Sequence, residues 1–230
     1  MPASERTDRA ATPVVRCSYC DVSELEDPDL WSRGMAALPW PERRDAVRRF
    51  IFGKDQRLCL GAGLLAAHML REAGATDFSL AYGAHDKPYL TAHPDLHFNI
   101  SHSGTIAACA VSRVPVGVDV EEIADQGPGV AAYCYTPREL AWLDAQDDKA
   151  VAFTRLWTRK ESFIKLAGYG LSRDPRTICT LDGKSCGHAC FDEHELPGYA
   201  LCVCTEGPCD VRLSRWSFSH GAFERSEDDS

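Results

Sequence analysis

The sequence predicts an α+β fold, and three stretches carry that expectation. Phe153 to Leu171, FTRLWTRKESFIKLAGYGL, repeats apolar residues at helical spacing, with Phe153, Leu156, Trp157, Ile164 and Ala167 on one stripe. Asp55 to Glu72 is a second helix, so rich in Ala, Gly and Leu that it belongs in a core. Between them, Thr105–Val111 and Val116–Glu121 read as strands joined by a tight connection at Ser112–Pro115.

The remaining elements follow in chain order. Residues 1–12 are polar and expected to be disordered. Val14–Asp21 alternates as a strand; its Cys17-x-x-Cys20 points to opposite faces, so packing explains it better than a redox or zinc half-site. Ser23–Leu38 reads as a helix with Ser23 as its cap, and Pro39 and Pro41 separate it from a basic helix, Glu42–Phe52. Phe78–Tyr82 is a short strand before a turn at Gly83–Pro88, and Phe98 and Ile100 alternate within His97–Gly104. Thr136-Pro137-Arg138-Glu139 opens a helix with a capping box. Ile178–Leu181, Ala200–Cys204 and Val211–Phe218 read as strands, and the closing ERSEDDS as disordered. The natural division falls at Arg113–Pro115, giving halves at 13–113 and 114–222, with residues 223–230 as a tail.

Composition narrows the function. A formal net charge of −9 argues against a nucleic-acid partner. No apolar run approaches the roughly 18 residues of a membrane span, and the first residues carry no apolar signal core. Eleven cysteines without such a signal fit reduced thiols in a cytoplasm. The Cys and His residues beyond Cys186 match no common pair of zinc knuckles. Against the acidic background, Glu42–Arg57 holds six basic residues and three acidic ones, which suits a specific anion.

Three carboxylates suggest chemistry. Asp119 and Glu121, two apart in VGVDVE, point to one face of their strand. If that strand packs on the helix bearing Glu161, the three form an all-oxygen site for a hard cation, magnesium before others, able to share its shell with phosphate. Lys160 and Lys165 bring positive charge. Lys160 falls inside the apolar stripe and therefore asks for an anionic partner. Arg155, Arg159 and Ser162 fall on the opposite face, where water is expected. Ser101-His102-Ser103 at a strand end suits a phosphate better than a hydrolase, because no G-x-S-x-G elbow accompanies it.

FNISHSG at Phe98–Gly104, VGVDVE at Val116–Glu121 and WTRKESFIK at Trp157–Lys165 together resemble the three signature motifs of the 4′-phosphopantetheinyl transferases, in the long, monomeric Sfp form. Lys87-Pro88-Tyr89 is similar to the family's G-K-P turn, with Asp86 in place of the glycine. The resemblance implies transfer of the phosphopantetheine arm of coenzyme A to a serine of an apo acyl or peptidyl carrier protein, releasing 3′,5′-ADP. The carrier could serve fatty acid, polyketide, nonribosomal peptide or amino-adipate chemistry. It implies a magnesium ion, replaceable by manganese, on Asp119, Glu121 and Glu161. Glu161, directly or through a water, would take the serine proton, and Lys165 would meet the departing phosphate. Coenzyme A would touch Arg43, Arg57, Lys87, Pro88, Ser101, His102, Asp119, Lys160 and Lys165. The implied fold is sandwich-like: two similar α/β halves with antiparallel sheets and packed helices, related by a pseudo-twofold axis, with the active site in the cleft between them. Two alternatives stand beside it. A nucleotidyl transferase would need a glycine-rich nucleotide loop that is absent, and a non-catalytic coenzyme A or carrier-binding module is disfavoured by the three intact carboxylates.

Overall fold

The computed structural model describes residues 11–83, 85, 87–127, 129–168, 170, 173–182, 185–219 and 222–225. The expectations for residues 1–10, Asp86, Leu171 and residues 226–230 lie outside that set.

Strand β1 (Val14–Asp21) leads into a 3-10 turn, Val22–Glu26, and then into α1 (Pro28–Ala37). A single helix from Ser23 is replaced by these two pieces because Pro28 disfavours helical backbone at Asp27. The Asp27 carboxylate instead caps α1, accepting from the amides of Asp29 and Leu30. The basic helix α2 (Pro41–Arg49) stops before Phe50, leaving Phe50, Ile51 and Phe52 exposed in the turn to α3 (Gly53–Glu72). Helix α3 buries 12 of its 20 residues and is the central helix of the N-terminal part.

A hairpin, β2 (Leu80–Tyr82) with β3 (Pro88–Leu90), precedes β4 (His97–Ser103), β5 (Ile106–Ser112) and β6 (Val116–Glu122). The short α4 (Val130–Cys134) and α5 (Pro137–Asp144) follow; α5 starts with the expected box, in which the Thr136 and Glu139 side chains bond reciprocally to each other's amides. Helix α6 (Lys149–Ala167) is capped by Asp148 and ends at Gly168, whose left-handed φ of 65° lets its amide reach the Ile164 carbonyl. The chain closes with β7 (Cys190–Leu196), β8 (Tyr199–Thr205), β9 (Asp210–Ser219) and β10 (Ala222–Arg225).

Besides the two-stranded β2–β3 hairpin, the described strands form two larger sheets, one with the order β10-β9-β1-β5-β4 and the other β6-β8-β7. Val15, Cys17, Ala108 and Ala110 of the first pack on Val118, Val120, Leu201 and Val203 of the second. Helix α3 covers the outer face of the first sheet, and Phe163, Ile164 and Leu166 of α6 cover the outer face of the second. The layers thus run helix, sheet, sheet, helix.

Four expectations are corrected. The pairing is not all antiparallel: β9 lies parallel to β1, with Val15 opposite Val211. Consequently Asp210–Ser219, read as part of a C-terminal half, extends the N-terminal sheet, and Ala222–Arg225, read largely as tail, adds a further strand to it. Ile178–Leu181 is no strand, because its backbone serves side chains instead: Ile178 gives its carbonyl to Lys160, and Thr180 its amide to Glu139. Finally, the face of α6 bearing Arg155, Arg159 and Ser162 meets water only in part: Arg155 and Arg159 are half-buried and pair with Glu193, while Ser162 is buried, its hydroxyl donating to the Arg159 carbonyl three residues back in the same helix.

Candidate active site

The site is built where β6 meets α6. Gly117 makes the approach possible: a Cβ there would overlap the carbonyl oxygen of Ser162 and the backbone nitrogen of Leu166. Strand and helix backbones touch, so the next residues on the same face of β6, Asp119 and Glu121, stand beside Glu161 and Lys165.

Strand β4 supplies the other wall. It belongs to one sheet and β6 to the other, and side chains, not a backbone ladder, stitch the two strands together. Asn99, Ser101 and Ser103 alternate along β4. Asn99 accepts from the Val118 amide at 2.9 Å, Ser101 donates to Asp119 Oδ1 at 2.7 Å, and Ser103 donates to Glu121 Oε2 at 2.7 Å while accepting from the Glu122 amide. Lys165 Nζ reaches the same carboxylate, 2.6 Å from Asp119 Oδ1 and 2.9 Å from Ser101 Oγ. Glu121 has a further bond to the Trp157 side chain.

Charge is concentrated here beyond what Lys165 offsets. Burial and then the Asp119 charge raise the pKa of Glu121, and the same two causes raise that of Glu161. Asp119 is 2% exposed, and its Oδ2 is buried without a hydrogen-bond partner. An orphaned carboxylate oxygen between two carboxylates that repel it is the donor chemistry a hard divalent cation satisfies. The three do not close into a ready cage: among the described residues no group of three His, Cys, Asp or Glu side chains is placed to hold a metal ion.

Glu161 and Lys165 face a cavity of about 620 Å³, within the range of small-molecule sites. Its far wall comes from α2 and α3 and from the β2–β3 hairpin, including Arg43, Arg49, Tyr82, His85 and Pro88. Arg43 is the electrostatic counterpart of the carboxylates. Its Nε donates to the Cys59 carbonyl at 3.0 Å, and its stem crosses α3 at Gly63, where a Cβ would collide with it. Burial lowers its pKa, and no carboxylate pairs with it among the described residues. His102 reaches solvent close by, its pKa pulled down by the surrounding walls and then by Arg43.

The sequence-predicted residues therefore separate. Asp119, Glu121, Glu161, Lys165, Ser101, His102, Arg43 and Pro88 gather around the cavity and its carboxylate end. Lys160 does not: fully buried, it pairs with Glu139 at 2.7 Å and donates to the carbonyls of Pro175 and Ile178, with no surface left for a ligand. Its place in the apolar stripe did require an anion, and Glu139 is that anion. Arg57 turns outward to Glu26 at 2.9 Å and lines no part of the cavity. Ser101 serves Asp119 and Lys165, not an open anion site. Lys87 lines the cavity by its stem, while its ammonium enters the backbone of α6. Sequence reasoning missed Asn99, Ser103 and Trp157 as supports. The alternation Asn99-x-Ser101-x-Ser103 carried the signal for the first two; Trp157 opens the WTRKESFIK motif but read as part of the apolar stripe.

Residues 115–204 match a family model described as "4'-phosphopantetheinyl transferase superfamily", and residues 27–114 match one described as "4'-phosphopantetheinyl transferase, N-terminal". The chain is similar to a "4'-phosphopantetheinyl transferase" of Bacillus subtilis, 36% identical over 197 residues that cover 77% of this chain and 87% of the relative. It is similar to "4'-phosphopantetheinyl transferase Sfp" of Bacillus subtilis (strain 168), 36% identical with 73% and 82% covered. The "4'-phosphopantetheinyl transferase psf-1" of Bacillus pumilus is 32% identical, with 76% and 86% covered.

Proposed function

We propose, from the premise that the chain belongs to the 4′-phosphopantetheinyl transferase superfamily and is an enzyme of that class, that it transfers the phosphopantetheine arm of coenzyme A to a serine of an apo carrier protein. The observation that carries the reading is the unsatisfied Asp119 carboxylate beside Glu121, Glu161 and Lys165 at one wall of a cavity whose opposite wall bears Arg43.

Coenzyme A enters with its 3′-phosphate toward Arg43 and His102 and its pyrophosphate toward Lys165. Asp119, Glu121 and Glu161 would hold magnesium, or manganese in its place, which supplies charge neutralisation on the pyrophosphate. The carrier serine oxygen forms a bond to the phosphorus that bears the pantetheine arm. The bond from that phosphorus to the oxygen of the 3′,5′-ADP group breaks. The serine proton passes to Glu161, directly or through a water. The Lys165 ammonium faces the charge left on 3′,5′-ADP. Positioning and electrostatics do most of such catalysis. The two similar halves related by a pseudo-twofold, the cleft between them, and monomeric action belong to the same proposal.

The test is intact mass of an apo carrier protein incubated with this protein, coenzyme A and magnesium, using a fatty-acid carrier and a peptide-synthetase carrier in parallel, each with a chelator control. The expected result is a chelator-sensitive gain of one phosphopantetheine group. Coenzyme A binding without any gain on either carrier would favour a non-catalytic binding module.

A further inference from the structure

Lys87 stands on the N-terminal side of the chain, and its ammonium acts on the C-terminal side. Nζ donates to the carbonyl of Lys165 at 2.6 Å and of Leu166 at 3.1 Å, with that of Val116 at 3.4 Å. The first two are carbonyls of the last turn of α6, the third opens β6. The last four carbonyls of a helix have no partner within it, and the helix end attracts a cation. Gly168 satisfies Ile164, and Lys87 takes the next two in order. Burial lowers the pKa of Lys87, and no carboxylate pairs with it among the described residues; the carbonyls are its counterparts.

The shortest of these bonds ends on Lys165, whose own ammonium joins Ser101 to Asp119. We propose that Lys87 is a positioning residue, a strut from the β2–β3 hairpin that fixes the end of α6 and so aims the Lys165 ammonium at the reacting phosphate. The inference rests on the transferase reading above and assigns Lys87 a role in turnover, not in holding coenzyme A. The hairpin and α6 both line one cavity, so the strut also ties these two walls together.

Lys87→Met keeps the stem against the cavity and removes the ammonium. Steady-state transfer and coenzyme A binding by calorimetry are measured on the full chain, together with hydrogen exchange over residues 163–168. Lys149→Met is the control: Lys149 caps α5 in the same manner, donating to the carbonyls of Leu143 (2.8 Å) and Asp144, away from the cavity. Lys87→Met is expected to lower kcat roughly 10- to 100-fold, since small displacements of a catalytic group have effects of that order, with KM and Kd for coenzyme A unchanged. Exchange at 163–168 should quicken. Lys149→Met should loosen α5 and leave kcat alone. Lys87→Gln, which retains donors, should fall between wild type and Met and guards against failure of Met to fold. An unchanged kcat in Lys87→Met or Lys87→Gln overturns the proposal, and so does a rise in KM and Kd at constant kcat. Exchange is read without carrier, so absence of transfer by wild type, which sinks the transferase reading, is distinct from unchanged exchange in Lys87→Met, which sinks the strut.

Discussion

Helix α6 carries two lysine–carboxylate pairs five residues apart, and they are opposite in design. Lys160 and Glu139 meet at 2.7 Å with neither side chain exposed. Every remaining bond there is taken: Lys160 by two carbonyls, and Glu139 by the amides and hydroxyls of Thr136 and Thr180. Lys165 and Asp119 meet at 2.6 Å, but Lys165 is 27% exposed, Asp119 keeps one oxygen unpartnered, and two further carboxylates press on the pair. The closed pair specifies where α5, α6 and the segment at 175–180 sit. The open pair leaves electrostatic energy unrelieved, available to whatever enters the cavity. Geometry of the contact alone would not tell them apart; the satisfaction of the surrounding atoms does.

The comparison breaks most severely at Lys160→Met. Removing one partner strands a buried Glu139 charge, and such losses are about 3–5 kcal/mol. Urea unfolding should show that loss, with transfer by the remaining folded protein near normal when saturated with coenzyme A. A stability change under about 1 kcal/mol would mean that the pair is not sealed. Glu161→Gln should do the reverse. It keeps shape and relieves repulsion from Asp119 and Glu121, so unfolding should shift by less than about 1 kcal/mol. Transfer measured by intact mass should fall about 100-fold or more, the scale of a lost general base. Activity near wild type would remove Glu161 from the mechanism.

Acid sharpens the contrast. Burial alone would raise the pKa of Glu139, but the bond from Lys160 and those from the Thr180 and Thr136 amides outweigh it, and the net shift is downward. A carboxylate depressed in the folded state contributes stability above its unfolded pKa, about 4.3 for Glu, and loses it as pH falls through the folded value. The stability difference between wild type and Glu139→Gln should therefore be full at neutral pH and shrink in acid, below the ordinary carboxylate range. A difference independent of pH down to the acid transition would contradict a charged Glu139.

These two pairs also mark how far the sequence could be read. The helical period of α6, the alternation of β6 and the Thr136–Glu139 box are local patterns, and the structure keeps them. The carboxylate cluster was legible because two of its members share a strand face and the third follows a lysine that demanded burial. That Lys160 answers to Glu139 was not legible: the partners lie on different helices, and a lysine inside a signature motif reads equally well as a ligand. The loss of the strand at Ile178 has the same origin, since its carbonyl is claimed by a side chain 18 residues away. Likewise β7, with its polar Asp192, Glu193 and Glu195, gives no apolar alternation; ion pairs from Arg155 and Arg159 of α6 hold it at the sheet edge.

The smallest expected effect separates two arginines of the basic segment. Arg57 and Arg43 carry the same charge and similar sequence neighbourhoods, yet one pairs with an exposed Glu26 and the other enters the cavity wall without an ion pair among the described residues. Arg57→Ala removes a pair whose carboxylate is 65% exposed, worth at most about 1 kcal/mol, and should leave the calorimetric Kd for coenzyme A unchanged. Arg43→Ala should weaken coenzyme A roughly tenfold or more, because a charge-assisted bond to phosphate is worth about 1.5–3 kcal/mol. Dephospho-coenzyme A, lacking the 3′-phosphate, supplies the decisive arm: it should bind wild type and Arg43→Ala alike. If Arg43→Ala weakens both ligands equally, Arg43 supports the wall at Gly63 and does not meet the phosphate, and the anion-binding end of the cavity must be assigned to other groups.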